Sequence, residues 1–194
     1  MAEFMEAYNI TMGNEGGYSN DPVDAGGETI CGISRRFFPN WEGWKIVDQV
    51  KSLNGNIDDL LKDVSFKMVV AKFYKATFWN IFLGDEIKDQ NIANELFDTG
   101  VNMGVKTAVT FLQQSLNVLN KNGALFPDLV EDGSMGNKTL TTLNNLNPDD
   151  IHILLIFMNV CQGQHYMAYM KKSPTQEKFA RGWATRLEVK KIYK

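Results

Sequence analysis

Apolar side chains return every third or fourth position along most of this chain, the period of a helix with one buried face. Residues 3–14 open it, with Phe4, Tyr8 and Met12 on one stripe. Short helices are expected over 41–53 and 57–64, the second capped by Asn56. A stronger one starts at Ser65, carries Phe66, Val69, Val70, Phe73 and Thr77 inward, and ends in Phe78-Trp79. Residues 91–103 follow, with Ile92, Leu96 and Phe97 as the buried line. From 105 to about 120 the inward set is Ala108, Phe111, Leu112, Ser115, Leu116 and Leu119. Asn147-Pro148-Asp149 begins a long helix to about 171, with Ile151, Leu154, Leu155, Met158 and Cys161 as its core side. A last helix spans 177–194, with Phe179, Trp183 and Leu187 in line. Only residues 28–34 break the helical period. The β-branched Thr29, Ile30 and Ile33 there predict a short strand or hairpin arm. The fold class expected is mainly α, with one small β-hairpin.

At 194 residues, with 44% hydrophobic and 22% charged positions, the chain has the make-up of a globular protein with a real core. Its net charge of −3 argues against nucleic acid as a partner, and against binding by bulk attraction to anionic wall polymers. The first residues are acidic and amphipathic rather than signal-like. The longest apolar run, 151–160, is too short to span a membrane. A protein made in the bacterial cytoplasm, without membrane insertion, is therefore expected. Cys31 and Cys161 are expected to be free thiols. With two histidines, and with Asp21, Asp24 and Glu28 off the spacing of a calcium loop, neither a metal nor a cofactor is called for. No Ser-His-Asp, paired-cysteine or phosphate-loop pattern is present.

The candidate chemistry is concentrated in residues 15–33. At 100° per residue, Glu15 falls within about 20° of Phe4 on a continued helix, so it would share the apolar face. The negative end of a helix dipole favours a neutral carboxyl by under one pKa unit. Desolvation by neighbours such as Tyr18 must supply the rest. A neutral, half-buried Glu is what general-acid cleavage of a glycosidic bond requires. Asp24, in a turn formed with Gly26-Gly27, is the candidate second carboxylate, with Asp98 as runner-up. A loop-borne Asp held across a cleft favours the wider carboxyl separation of an inverting enzyme. Tyr18, and Thr29 on the expected β-element, are candidate substrate contacts. So are Tyr74 and Trp79, whose rings could stack on sugars, although aromatics at helical spacing more often fill a core. Asp98 and Asn102, four apart on one helix face, complete the set, as substrate contacts or as a structural pair. Gly100 and Gly104 mark close helix packing or a helix end.

Glu15-Gly16-Gly17-Tyr18, Asp24, Gly26-Gly27, Thr29 and Gly32-Ile33 form a pattern similar to E-G-G-Y…D-x-G-G-x-T-x-x-G-I. This resembles the opening motif of family 108 of the glycoside hydrolases, bacterial and prophage N-acetylmuramidases once called secretion activators. It also looks like phage-type lysozymes, in which a helix-ending Glu is followed by an Asp or Cys and then a Thr on a hairpin. Further similarity lies in the pair Tyr74 and Trp79, in F-D-x-x-V-N-x-G from Phe97, and in F-x-x-G-W-x-x-R from Phe179 to Arg186. Arg186 reads as an ion-pair partner rather than a catalytic group. The turn from Asp132 to Thr139 is similar to the D-G-x-x-G-x-x-T of small helical peptidoglycan-binding modules.

The resemblance implies a lysozyme-like fold with Glu15 as the catalytic residue. It implies a catalytic module over 1–104 and a peptidoglycan-binding-like module over 105–194, packed as one body. The partner implied is the glycan strand of peptidoglycan, cut at the β-1,4 bond between N-acetylmuramic acid and N-acetylglucosamine. The acting species is expected to be a monomeric endolysin of prophage type, released by a holin or by lysis. Two other readings remain open at this level: a non-catalytic peptidoglycan-docking protein, and a chitinase- or chitosanase-like glycosidase.

Overall fold

The computed structural model describes residues 1–13, 17–20 and 27–187. Helices dominate, and the described strands are three two-residue segments, so the fold is mainly α as expected. The contacts divide the chain into two compact units, residues 4–80 and residues 1–3 with 81–194.

In the unit 4–80, helix α1 covers Phe4–Met12. It stops before Gly13, short of the expected residue 14, because a glycine adds little to helix stability at that position. Its buried line is Phe4, Ala7 and Thr11 rather than Phe4, Tyr8 and Met12. Strands β1 (Tyr18–Ser19), β2 (Thr29–Ile30) and β3 (Ile33–Ser34) follow, paired antiparallel in that order. Ile30 faces Ile33 across the two-residue turn Cys31-Gly32. Both turn residues have positive φ, 49° and 75°, the combination whose twist matches a hairpin. Cys31 is an unusual occupant there, and Tyr74 donates a hydrogen bond to its carbonyl at 2.8 Å.

Helices α2 (Gly43–Ser52), α3 (Ile57–Leu60) and α4 (Val64–Tyr74) complete this unit. Asn56 caps α3 as expected, accepting from the Asp58 N–H. Past α4 the chain widens into a π turn, Lys75–Trp79, and the Asn80 N–H donates to the Lys75 carbonyl. This shifts the buried line. The expected stripe through Thr77 gives way to Phe66, Val70, Tyr74 and Trp79, spaced four, four and five. One extra residue in the turn brings Trp79 inward instead of Phe78.

In the second unit, the Ala2 N–H donates to the Ile87 carbonyl at 2.8 Å. Helices α5 (Gln90–Met103), α6 (Val105–Leu119), α7 (Asn137–Asn144), α8 (Pro148–Lys172) and α9 (Ala180–Ala184) carry the core. Ile92, Leu96 and Phe97 of α5 are fully buried, as expected. A Cβ on Gly100 would lie 2.4 Å from Phe82 Cζ, so this contact admits only glycine. Asn147 caps α8 through the Asp149 N–H. The buried line of α8 is Leu154, Met158, Asn159, Gln162 and Tyr166, more polar than its apolar period foretold. Gln162 Nε2 donates to Thr99 Oγ1 at 3.0 Å, and Thr99 Oγ1 donates to Glu95 at 3.0 Å. This buried chain of polar groups ties α8 to α5. No described helix is long and apolar enough to cross a membrane.

Candidate active site

Within residues 4–80, α1, the Cys31-Gly32 turn and α4 enclose a groove of about 580 Å³. Met5, Tyr8, Met12 and Met68 give it an apolar lining, and Lys67 places an ammonium at its wall. The side chains of Tyr8 and Met12, expected in the core, thus border this groove. Burial, then the charge of Cys31, pushes the Tyr8 hydroxyl up to about 12. Burial also pushes the Cys31 thiol up, with Lys67 pulling the other way. Both groups are neutral at pH 7, so neither is an activated nucleophile. No disulfide joins Cys31 and Cys161 among the described residues. No cluster of metal-ligating side chains occurs among the described residues.

Glu15 and Asp24 lie outside the described residues. The chain next to them is fixed by the sheet. The Gly17 carbonyl accepts from the Cys31 N–H at 3.2 Å, and Tyr18 pairs with Ile30. Tyr18 and Thr29 therefore stand on neighbouring strands. Their hydroxyls are engaged: Tyr18 donates to Glu28 Oε1 at 3.0 Å, and Thr29 donates to the Gly27 carbonyl at 3.3 Å.

Glu28 was not singled out by its sequence context for this part, yet it is the hub of the sheet. Lys51 pairs with the Oε1 that also takes the Tyr18 bond. Arg35 Nε lies 2.9 Å from Oε2, an ion contact whose angle falls short of a hydrogen bond. The same guanidinium grips Asp48 through two bonds of 2.6 and 3.1 Å and holds that carboxyl below the usual carboxylate range. Arg35 also lies 4.4 Å over the Trp44 ring. A charge relay across three elements thus orients β2 and β3 on α2.

Tyr74 and Trp79 do not offer faces to a sugar. They are 3% and 1% exposed, packed with other aromatic rings of this unit. They are core side chains, and Tyr74 acts on the site by holding the Cys31 turn.

Asp98 and Asn102 sit on α5, in the second unit. Asn102 Nδ2 donates to the Asp98 backbone carbonyl at 2.8 Å, not to its carboxylate. The carboxylate takes Arg186 Nη1 at 2.7 Å, the structural pairing expected of Arg186. Glu95, also unremarked in the sequence, is the buried acid one turn before.

The turn at 132–139 is built by Gln113 of α6, which is 2% exposed. Its Nε2 donates to Asp132 Oδ1, to the Ser134 carbonyl and to Thr139 Oγ1 at 3.0, 3.2 and 3.3 Å. Its Oε1 accepts the Gly133 N–H at 2.9 Å. Four and seven residues on, Asn117 bonds both backbone groups of Leu129, and Asn120 pairs with Asp128 and the Gly123 N–H. Three amides on one helix face thereby hold the loop that leads to α7.

Residues 8–104 match the family described as Glycosyl hydrolase 108. Residues 107–188 match the family described as Predicted Peptidoglycan domain. The first match extends through α5, which packs on α6 and α8 in the second unit. No match was found among curated proteins. Among solved structures, "Structure of Brucella abortus SagA" superposes with a TM-score of 0.61 at 23% identity, over 95% of this chain and 88% of that one. At that identity the likeness speaks to the fold alone.

Proposed function

Since the chain belongs to the glycosyl hydrolase 108 family, and its two matches make it a peptidoglycan-degrading glycosidase, we propose that it is an N-acetylmuramidase with Glu15 as general acid. The bond cut is the β-1,4 link from N-acetylmuramic acid to N-acetylglucosamine. The observation that carries this is the motif from Glu15 to Ile33, which lies inside the matched segment. The groove along α1 supports it. Its lining reaches Gly13, two positions before Glu15, and its methionine and tyrosine walls are of the kind that desolvate a carboxyl.

In this reading Glu15 protonates the leaving oxygen, and positive charge develops on the sugar ring. Asp24 is the second carboxylate, activating water for inversion. The runner-up, Asp98, has its carboxylate committed to Arg186. Residues 1–104 would carry the cleavage and 105–194 would hold the wall.

Glu15→Gln keeps shape and loses the proton. Clearing of purified sacculi is expected to fall by about 10²–10⁴-fold, with the melting temperature unchanged. Asp24→Asn is expected to lose most of the turnover and Asp98→Asn less. Near wild-type clearing by Glu15→Gln would remove Glu15 as the acid.

A further inference from the structure

The second unit holds a cavity of about 350 Å³. It lies at the C-terminal ends of α5 and α8, against the 3-10 turn Pro174–Phe179 and α9. Its lining joins three rings, Tyr166, Tyr169 and Trp183, to three polar side chains, Asn102, His165 and Gln176.

The rings are organised around Trp183. Tyr166 stacks on it with centroids 4.9 Å apart and planes 14° from parallel, and Phe179 stacks at 5.9 Å and 29°. Tyr169 meets it at 6.0 Å, tilted 49°. Tyr166 is 7% exposed, whereas Tyr169 is 46% exposed. One ring therefore anchors the indole from within, and another stands at the mouth of the cavity. Such stacked rings hold their positions without a ligand, so little ordering remains to be paid on binding.

The polar groups fall beside this aromatic wall. The Asn102 amide spends its Nδ2 on the Asp98 carbonyl. That bond fixes the side chain and leaves Oδ1 as an acceptor without a partner among the described residues. Gln176 supplies an amide of either polarity, and His165 is held edge-on to Phe111 at 5.8 Å. No lysine or arginine among the described residues lines the cavity, so its described lining matches phosphates and carboxylates poorly. A purely hydrocarbon ligand would strand the two amides and the imidazole. A pyranose answers both halves of the lining: its axial C–H face lies on an aromatic ring, and its equatorial hydroxyls and acetamido group meet the amides. The volume is at the lower end of ligand pockets, about 300–1,000 Å³, which suits a short stretch of glycan.

We propose that this cavity is a glycan-binding subsite that takes an N-acetylated amino sugar of the peptidoglycan strand. The proposal rests on the peptidoglycan reading above and names where in the second unit the strand is held. It gives Asn102 a place in binding the strand.

The test uses the full chain carrying Glu15→Gln, titrated with a β-1,4-linked tetramer of N-acetylglucosamine and followed by amide and indole NMR. The expected result is saturable shifts of the Trp183 indole N–H and of the Asn102 and Gln176 side-chain amides. Tyr169→Ala is expected to weaken that titration about five-fold or more, the equivalent of roughly 1 kcal/mol of aromatic contact. Tyr169 is half exposed, so a melting temperature near wild type is expected to accompany the loss, and Gln176→Ala provides a second variant. Unmoved Trp183, Asn102 and Gln176 signals at saturating sugar, or wild-type affinity in both variants, would overturn the subsite. Sacculus cleavage by the wild-type chain is read in parallel. Its absence would strike at the glycosidase reading, whereas silence confined to the cavity strikes at the subsite alone.

Discussion

In residues 4–80 the small sheet is fastened to its helices through a charge, Glu28, whereas in the second unit the loop after α6 is fastened through a neutral amide, Gln113. The two side chains are alike in length and differ in what burial does to them. Gln113 is 2% exposed and satisfies both ends of its amide with four partners. A carboxylate at that depth would need a buried cation, and the desolvation of both would offset most of their attraction. The Glu28 side chain keeps 12% exposure, and its partners Arg35 and Lys51 keep 31% and 35%. There the charges stay partly hydrated, and a strand edge of two residues gains directional anchoring that its few ladder bonds do not provide. Irregular backbone is thus held in both units by buried or half-buried polar side chains, with Glu28 and Gln113 showing how depth selects charge or amide.

The largest separation between the two devices is expected from Gln113→Ala. It leaves the buried Gly133 N–H without an acceptor and removes the bonds to Asp132, the Ser134 carbonyl and Thr139, at a cost of about 3 kcal/mol. Urea unfolding is expected to show this loss unchanged between low salt and 1 M NaCl. Glu28→Gln keeps the shape and removes the charge, for a smaller loss of about 1 kcal/mol. That loss should shrink as salt screens the wild-type pairs. Equal salt response in the two variants would show that depth does not divide them.

The smallest effect concerns two tyrosines, one in each unit. Burial, ahead of any charge, pushes both Tyr8 and Tyr166 up to about 12 from the ordinary 10. A hydroxyl whose folded value exceeds its unfolded one contributes stability that is complete below about pH 10. That contribution drains away as pH rises towards 12. Urea midpoints are expected to be level up to about pH 9.5 and to fall beyond it. Tyr8→Phe and Tyr166→Phe should each flatten part of that fall. A slope unchanged in both variants would assign it to other groups.

The sequence made the helices visible because one buried face imposes its period along the chain. Asn56 and Asn147 were legible as caps because a cap bonds within a few residues. The Phe82 contact at Gly100 was legible as close packing, since a glycine inside an apolar helix has few other reasons to be there. Glu28 and Gln113 were not legible. Their partners lie 23 and 20 residues away, at Lys51 and Gly133, and no local pattern encodes such pairings. Trp79 was weighed as a core ring, but its place in line with Phe66, Val70 and Tyr74 was not foreseen, because a π turn adds one residue without altering composition. The Cys31-Gly32 turn was hidden by a cysteine in a conformation that asparagine or glycine usually takes. Tyr74 and Trp79 illustrate a general ambiguity: a ring at helical spacing reads the same whether it lines a cleft or a core. Asn102 shows another case, a residue singled out by its helix face and found beside an aromatic cavity.

The central claim, a muramidase acting through Glu15, is tested most directly by the chemistry of the ends it makes. Purified sacculi are digested with the wild-type chain and with Glu15→Gln, the products are reduced with borohydride, and the new termini are identified by mass spectrometry. The expected result is reduced N-acetylmuramic acid in the wild-type digest and none above background in the variant. Reduced N-acetylglucosamine in its place, or muramic acid termini at the wild-type rate from Glu15→Gln, would contradict it.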